Sequence, residues 1–183
     1  MTAQIEMATF AGGCFWCFEA IFKRLQGVTS VVSGFSGGTM ENPSSEDVYT
    51  ETTGHAEAIQ ITFDPTKISY EKLLTIFFTL HDPTTLNQQG NDRGPQYRSS
   101  IFYHSSFQQV LAKKIKQEFQ SKHTDKIVTE IVPVKNFYKA EDYHQDFYNK
   151  NKHYPYCRYV IDPKLKKLVE MFNADVKKEF TNV

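Results

Sequence analysis

Residues 12–17 read Gly-Gly-Cys-Phe-Trp-Cys, and this hexapeptide dictates a strand, a tight turn and a helix in that order. The short apolar run Met7 to Ala11 leads in, and Phe18, Ile21, Phe22 and Leu25 follow at helical spacing before Gly27 closes the segment. Cys14 therefore falls at a helix N-terminus, where unpaired backbone N–H groups carry partial positive charge and favour thiolate over thiol. The two glycines permit positive φ and close backbone approach. Phe15 and Trp16, the latter the chain's single tryptophan, can wall an apolar pocket beside a nucleophile. Burial as small hydrophobes would account for Cys14 and Cys17 alone. It does not account for paired glycines, a helix start and two aromatics together, so chemistry at Cys14 is the preferred reading.

The rest of the chain reads as alternating elements without repeats, low-complexity tracts or linkers. A β-branched strand over 28–35 is followed by a long polar loop over 39–54. Residues 55–63 alternate, with Glu57, Ile59, Ile61 and Phe63 on one face. Ser69 caps a helix to about Leu80. A second loop spans 84–96, a strand 97–104, a helix 107–122 and a strand 127–134. Residues 140–150 read as helix and 151–157 as irregular. Asp162-Pro163 opens a last helix that frays toward the end. The order predicts one domain with helices packed on a small mixed sheet. Long glycine-bearing loops in so short a chain often carry function.

Composition excludes several classes. Twenty-one basic residues balance twenty-one acidic ones, and no basic stripe suits nucleic acid. No apolar run reaches the length of a membrane span, and Met1 to Met7 lacks the pattern of a secretory signal. A soluble, cytoplasmic protein is expected. Three cysteines, Cys14, Cys17 and Cys157, are too few and too odd in number for a disulfide framework. They suit thiols that are kept reduced and used.

Several groups are candidates to work with Cys14. Glu57 shares the face of three apolar residues; burial there would raise its pKa and keep it a proton donor near neutrality. A solvated position at the strand mouth is the alternative. Tyr97 can donate to a developing oxyanion, and Asp92 lies in the loop before it. His144 reads as a hydrogen-bonded structural histidine. Cys157, in an irregular stretch, and Cys17, three residues from Cys14, are rival resolving thiols.

Taken in order, Gly13-Cys14-Phe15-Trp16, Gly54-His55-Ala56-Glu57, His81-Asp82-Pro83, Gln89-Gly90-Asn91-Asp92, Gln96-Tyr97-Arg98-Ser99, Ala140 to Gln145 and Tyr156-Cys157 closely resemble the A-type peptide methionine sulfoxide reductases. The match runs over about residues 8–162, with 163–183 as a C-terminal helical extension of a single catalytic domain over 1–183. The resemblance implies an α+β two-layer sandwich with a mixed sheet. It implies reduction of methionine-S-sulfoxide, free and protein-bound, with Cys14 as nucleophile, Glu57 as acid, Tyr97 as oxygen-side donor and Asp92 as polar support. Phe15 and Trp16 would enclose the substrate methyl. Cys14 would pass through a sulfenic acid to a disulfide with Cys157, the preferred partner, or Cys17, and thioredoxin would reduce it. No metal or organic cofactor is implied, and a monomer is expected. One departure stands out: Ser45 occupies the place of a second donor tyrosine, and Tyr49 lies four residues on. The chain also lacks the glycine-rich tail in which some members carry another recycling cysteine.

Rival readings are a general Cys-x-x-Cys thiol–disulfide oxidoreductase and a structural zinc site on Cys14, Cys17, His153 and Cys157. A binding protein for oxidised methionine is a third, disfavoured by intact Cys14 and Glu57.

Overall fold

The computed structural model describes residues 4–181. The reading of Met1 to Met7 as free of a secretory signal falls partly on residues 1–3, outside the described residues. The strands are β1 (Glu6–Gly12), β2 (Val28–Ser36), β3 (Ala56–Phe63), β4 (Gln88–Gln89), β5 (Asp92–Arg93), β6 (Ser99–Tyr103), β7 (Glu130–Pro133) and β8 (Tyr138–Lys139). The α-helices are α1 (Phe15–Lys23), α2 (Ser45–Tyr49), α3 (Tyr70–Thr79), α4 (Ser106–Gln120), α5 (Phe147–Lys150) and α6 (Asp162–Phe172). Six strands form one sheet in the order β7-β6-β1-β3-β2-β8; only the β6–β7 pair is parallel. This is the expected α+β arrangement on a mixed sheet. No helix among the described residues is long and apolar enough to cross a membrane.

Strand β3 explains how the sheet is covered. Ile59, Ile61 and Phe63 join the large core beneath the helices, with Phe10, Phe22 and Phe77. Ala56 and Ala58 face the other side, where they meet Ala11 and Phe102 under Val132, Val134 and Phe137. The alternation in sequence thus separates a thick helical layer from a thin layer of loop and edge strand. Each fully buried phenylalanine contributes about 1.5–3 kcal/mol. Because β1 and β3 are antiparallel, the end of β1 and the start of β3 lie at the same edge of the sheet. That edge carries Cys14 and Glu57.

Elsewhere the structure corrects the expected elements. The 39–54 loop contains α2, capped reciprocally by Ser44 and Asp47. The 84–96 loop contains the β4–β5 hairpin around Gly90. Tyr97 does not open a strand: it ends a 3-10 turn, Pro95–Tyr97, and β6 begins at Ser99. The strand expected over 127–134 pairs only at Glu130–Pro133, on an edge that tolerates proline. The helix expected over 140–150 is broken. A 3-10 turn at Asp142–His144 is followed by Asp146 at φ 57° and then the single turn of α5. Beyond α6 the chain continues in 3-10 turns, and Leu165, Leu168 and Val176 join the main core.

Candidate active site

Cys14 is the N-cap of α1, as the hexapeptide predicts. Gly13 makes the approach possible: its φ is +97°, and a Cβ there would lie 2.7 Å from the Gln89 side chain. Cys14 is 9% exposed. It opens onto a cavity of about 510 Å³ together with Phe15, Trp16, Tyr49, Glu57, Asp92 and Tyr97. Tyr154, Tyr156 and Tyr159 also line it. Every residue assigned to nucleophile, acid, oxygen-side donor, methyl wall and polar support is therefore gathered in one space.

Glu57 is 2% exposed and has no ion-pair partner among the described residues. Its Oε2 accepts the Phe15 N–H at 2.9 Å, so the carboxyl caps α1 next to Cys14. Its Oε1 accepts from the Tyr49 hydroxyl at 3.3 Å. Burial dominates these bonds and raises the pKa to about 8. The buried reading of Glu57 holds, and the solvated one does not.

The charge state of Cys14 differs from expectation. The Trp16 backbone N–H does pull its pKa down, but burial, the Cys17 thiol and the Glu57 carboxylate push it well above the usual value. The helix N-terminus is present; desolvation outweighs it, and Cys14 rests as a thiol. Cys17 moves the other way. A hydrogen bond from Cys14 brings it to about 7 against the opposing effect of burial, helped by Lys164 and the Tyr156 hydroxyl at 3.7 Å. Cys17 shares with Cys14 a second opening, of about 460 Å³, beside Gly90 and Lys164. Cys157 is fully buried at the start of a π-helical turn and lines neither opening. Burial pushes its thiol up. All three cysteines are free. The structure thus brings Cys17, and not Cys157, against Cys14.

Tyr97 and Tyr49 have their phenol pKa values raised by burial and by Glu57, which keeps both as donors. Ser45, at the place expected for a tyrosine, is turned away: its hydroxyl donates to Glu141 Oε2 at 2.5 Å. Tyr49, one turn later on α2, reaches the cavity instead. The signal for it was in the sequence, since Ser44-x-x-Asp47 announces a helix on which residues 45 and 49 share a face. Asp92 accepts the Tyr156 hydroxyl at 2.6 Å, and the same hydroxyl faces Cys17. Trp16 lies flat on Phe147, ring centroids 3.6 Å apart, and its Nε1–H donates to His144 Nδ1 at 3.1 Å. His55 and His81 act elsewhere. His55 accepts from Gly38 N–H and lies 2.8 Å from the Met40 carbonyl; His81 bridges the Phe77 carbonyl and Ser99. Among the described residues no group of three or more histidine, cysteine or carboxylate side chains converges as metal ligands, so the zinc set is not assembled.

A thiol at a helix N-cap, a neutral carboxyl beside it and an aromatic enclosure define a cysteine-dependent enzyme on an α+β scaffold. Known proteins give that class a family. The sequence model described as peptide methionine sulfoxide reductase matches residues 6–176. The peptide methionine sulfoxide reductase MsrA of Sulfolobus acidocaldarius is 58% identical over 168 residues, covering 92% of this chain and 96% of that protein. The reduced crystal structure of Mxr1 from Saccharomyces cerevisiae superposes with a TM-score of 0.79 at 37% identity, covering 86% of this chain and 91% of the other. Mxr1 in complex with Trx2 superposes at 0.56 and 32% identity, covering 80% and 87%. The chain belongs to the peptide methionine sulfoxide reductase family.

Proposed function

We propose that this protein reduces methionine-S-sulfoxide, free and within oxidised proteins, to methionine, and is recycled by thioredoxin. The observation that carries this reading is the shared cavity of Cys14 and Glu57 behind the Phe15–Trp16 wall. A sulfoxide sulfur is a poor electrophile until its oxygen is protonated. Glu57, neutral up to about pH 8, supplies that proton as Cys14 Sγ attacks sulfur. A neutral Glu57 also removes the like charge that opposes a Cys14 thiolate. Tyr49 and Tyr97 donate to the oxygen. The thiol and the sulfoxide become a sulfenic acid on Cys14 and a thioether, and Glu57 ends as it began.

Cys17 then attacks the sulfenic sulfur, a disulfide forms and water leaves. Its lowered pKa and its contact with Cys14 support Cys17 for this step, in place of the earlier preference for Cys157. Thioredoxin, a dithiol, returns both cysteines to thiols and becomes a disulfide. The relative Mxr1, whose structure is known with Trx2, supports that partner. The atoms balance with no metal or organic cofactor. Three unpaired cysteines fit a monomer at work in a reducing cytoplasm. In a general thiol–disulfide exchanger Cys14 would face an open surface rather than a walled cavity.

A stereochemically resolved assay tests the proposal. With dithiothreitol, the S epimer is consumed and the R epimer is not, and trapping of the first-turnover product leaves a sulfenic acid adduct on the Cys14 peptide. Consumption of neither epimer, or an adduct on Cys17 alone, overturns it.

A further inference from the structure

Behind the methyl wall lies a chain of hydrogen bonds whose direction is fixed by chemistry. The Trp16 indole nitrogen can only donate, so His144 Nδ1, 3.1 Å away, must accept. The ring proton then sits on Nε2, which lies 2.8 Å from Ser45 Oγ and donates to it. The single Ser45 hydroxyl proton goes on to Glu141 Oε2 at 2.5 Å, and Glu141 Oε1 accepts the Ser45 backbone N–H at 2.8 Å. Each donor passes to the next, and the chain ends on a carboxylate. Phe147 stacks on the indole, and the Phe15 ring lies 5.1 Å from His144.

We propose that His144 is a positioning residue: with its ring proton directed to Nε2 by the Ser45–Glu141 hydrogen bonds, it accepts the indole N–H at Nδ1 and fixes Trp16 as the wall of the substrate cavity. That the wall encloses a substrate methyl rests on the function proposed above; the hydrogen-bond chain does not. In an imidazolium Nδ1 also carries a proton and faces the indole N–H, so two donors oppose each other and Trp16 is released. The groups facing His144 are Phe15 and Trp16 from α1, Ser45 from α2, and Glu141 and Tyr143 from its own segment. Of these, Glu141, 3.9 Å from Nε2, is the one carboxylate, and it favours the imidazolium. Burial opposes it and prevails, so release occurs below the ordinary imidazole range.

Trp16 is the only tryptophan in the chain, so its emission reads this site directly. On the full-length protein, acidification is expected to give an emission transition below the usual imidazole pKa. In His144→Asn, whose amide oxygen can accept the indole proton but does not titrate, the transition disappears and KM for methionine-S-sulfoxide stays at the wild-type value. In His144→Leu, KM rises roughly three- to tenfold, the worth of one neutral hydrogen bond, with kcat little changed. In Glu141→Gln, the transition moves to lower pH. A transition that persists in His144→Asn, or that does not move in Glu141→Gln, overturns the proposal. Should His144→Leu fail to fold, the Glu141→Gln shift alone decides. Failure of the functional reading would abolish sulfoxide reduction in wild type and leave the emission titration intact.

Discussion

Helix α1 has two buried glutamates against it, one at its N-terminus and one in its middle, and the two carboxyls do different things. Glu57 comes from β3 to cap the N-terminus, accepting the Phe15 N–H. Glu19 lies within the helix, 1% exposed, and accepts the Asp146 N–H at 2.8 Å. Burial raises the pKa of both. The difference is in the partners. Glu19 has Lys23 Nζ at 3.1 Å, which itself reaches Asp146 at 3.0 Å, so its charge is matched and its role is to anchor the segment after His144. Among the described residues Glu57 has no cation, but it has a phenol, a thiol and a cavity. A matched buried carboxyl holds structure, whereas an unmatched one that faces a cavity is a candidate proton donor.

The largest effect belongs to the sulfur next to that proton. Cys14→Ser is expected to abolish reduction of methionine-S-sulfoxide with either dithiothreitol or thioredoxin, because no thiol remains at the cavity; product formation by this variant would remove Cys14 as nucleophile. The glutamate pair comes next. Glu57→Gln loses the proton donor, and the first-turnover rate should drop roughly 10²–10⁴-fold. Glu19→Gln should leave that rate unchanged while lowering stability by about 1–3 kcal/mol, since Lys23 loses its buried partner. Equal kinetic losses in the two variants would erase the distinction between them.

The thiols sharpen the same contrast between cavity and interior. Cys17→Ala should complete one stoichiometric turnover and then stall with thioredoxin, leaving a sulfenic acid on Cys14. Cys157→Ala should continue to cycle with thioredoxin, and the cost of a small buried side chain should appear in thermal unfolding instead. If Cys157→Ala stalls and Cys17→Ala cycles, the resolving assignments exchange.

These contrasts were unevenly legible in the sequence. The strand–turn–helix at Cys14 was clear because glycines and a helical apolar stripe are local signals. Glu57 was legible as a face-sharing carboxylate, although its burial depended on tertiary covering. The placement of Cys17 and Cys157 was not legible: spacing says nothing about which thiol is sealed in the core. Nor was the ionisation of Cys14, because the helix-end field is a local property and desolvation is a global one. The break at Asp146 was missed for a related reason: residues 140–150 have polar helical character, but Glu19 and Lys23 on another element hold the chain in a turn.

The smallest effect is also the most specific to this chain. Tyr49 and Tyr97 both line the cavity and Ser45 is turned to Glu141, so the second phenol arrives from one turn further along α2. Because the proposed mechanism uses the protonated form of Glu57, it predicts a first-turnover rate that is full below its pKa and falls as pH rises through about 8. The Tyr49 hydrogen bond stabilises the carboxylate and holds that pKa down. Tyr49→Phe should therefore move the falling limb to higher pH, with a plateau loss of roughly tenfold or less for one neutral donor. Ser45→Ala, which touches neither oxygen of Glu57, should leave the limb where it is. A limb that stays fixed in Tyr49→Phe would mean that the phenol does not reach Glu57 in solution. The contrast between the two carboxyls would then rest on the Lys23 cation beside Glu19 and on the cavity and thiol beside Glu57.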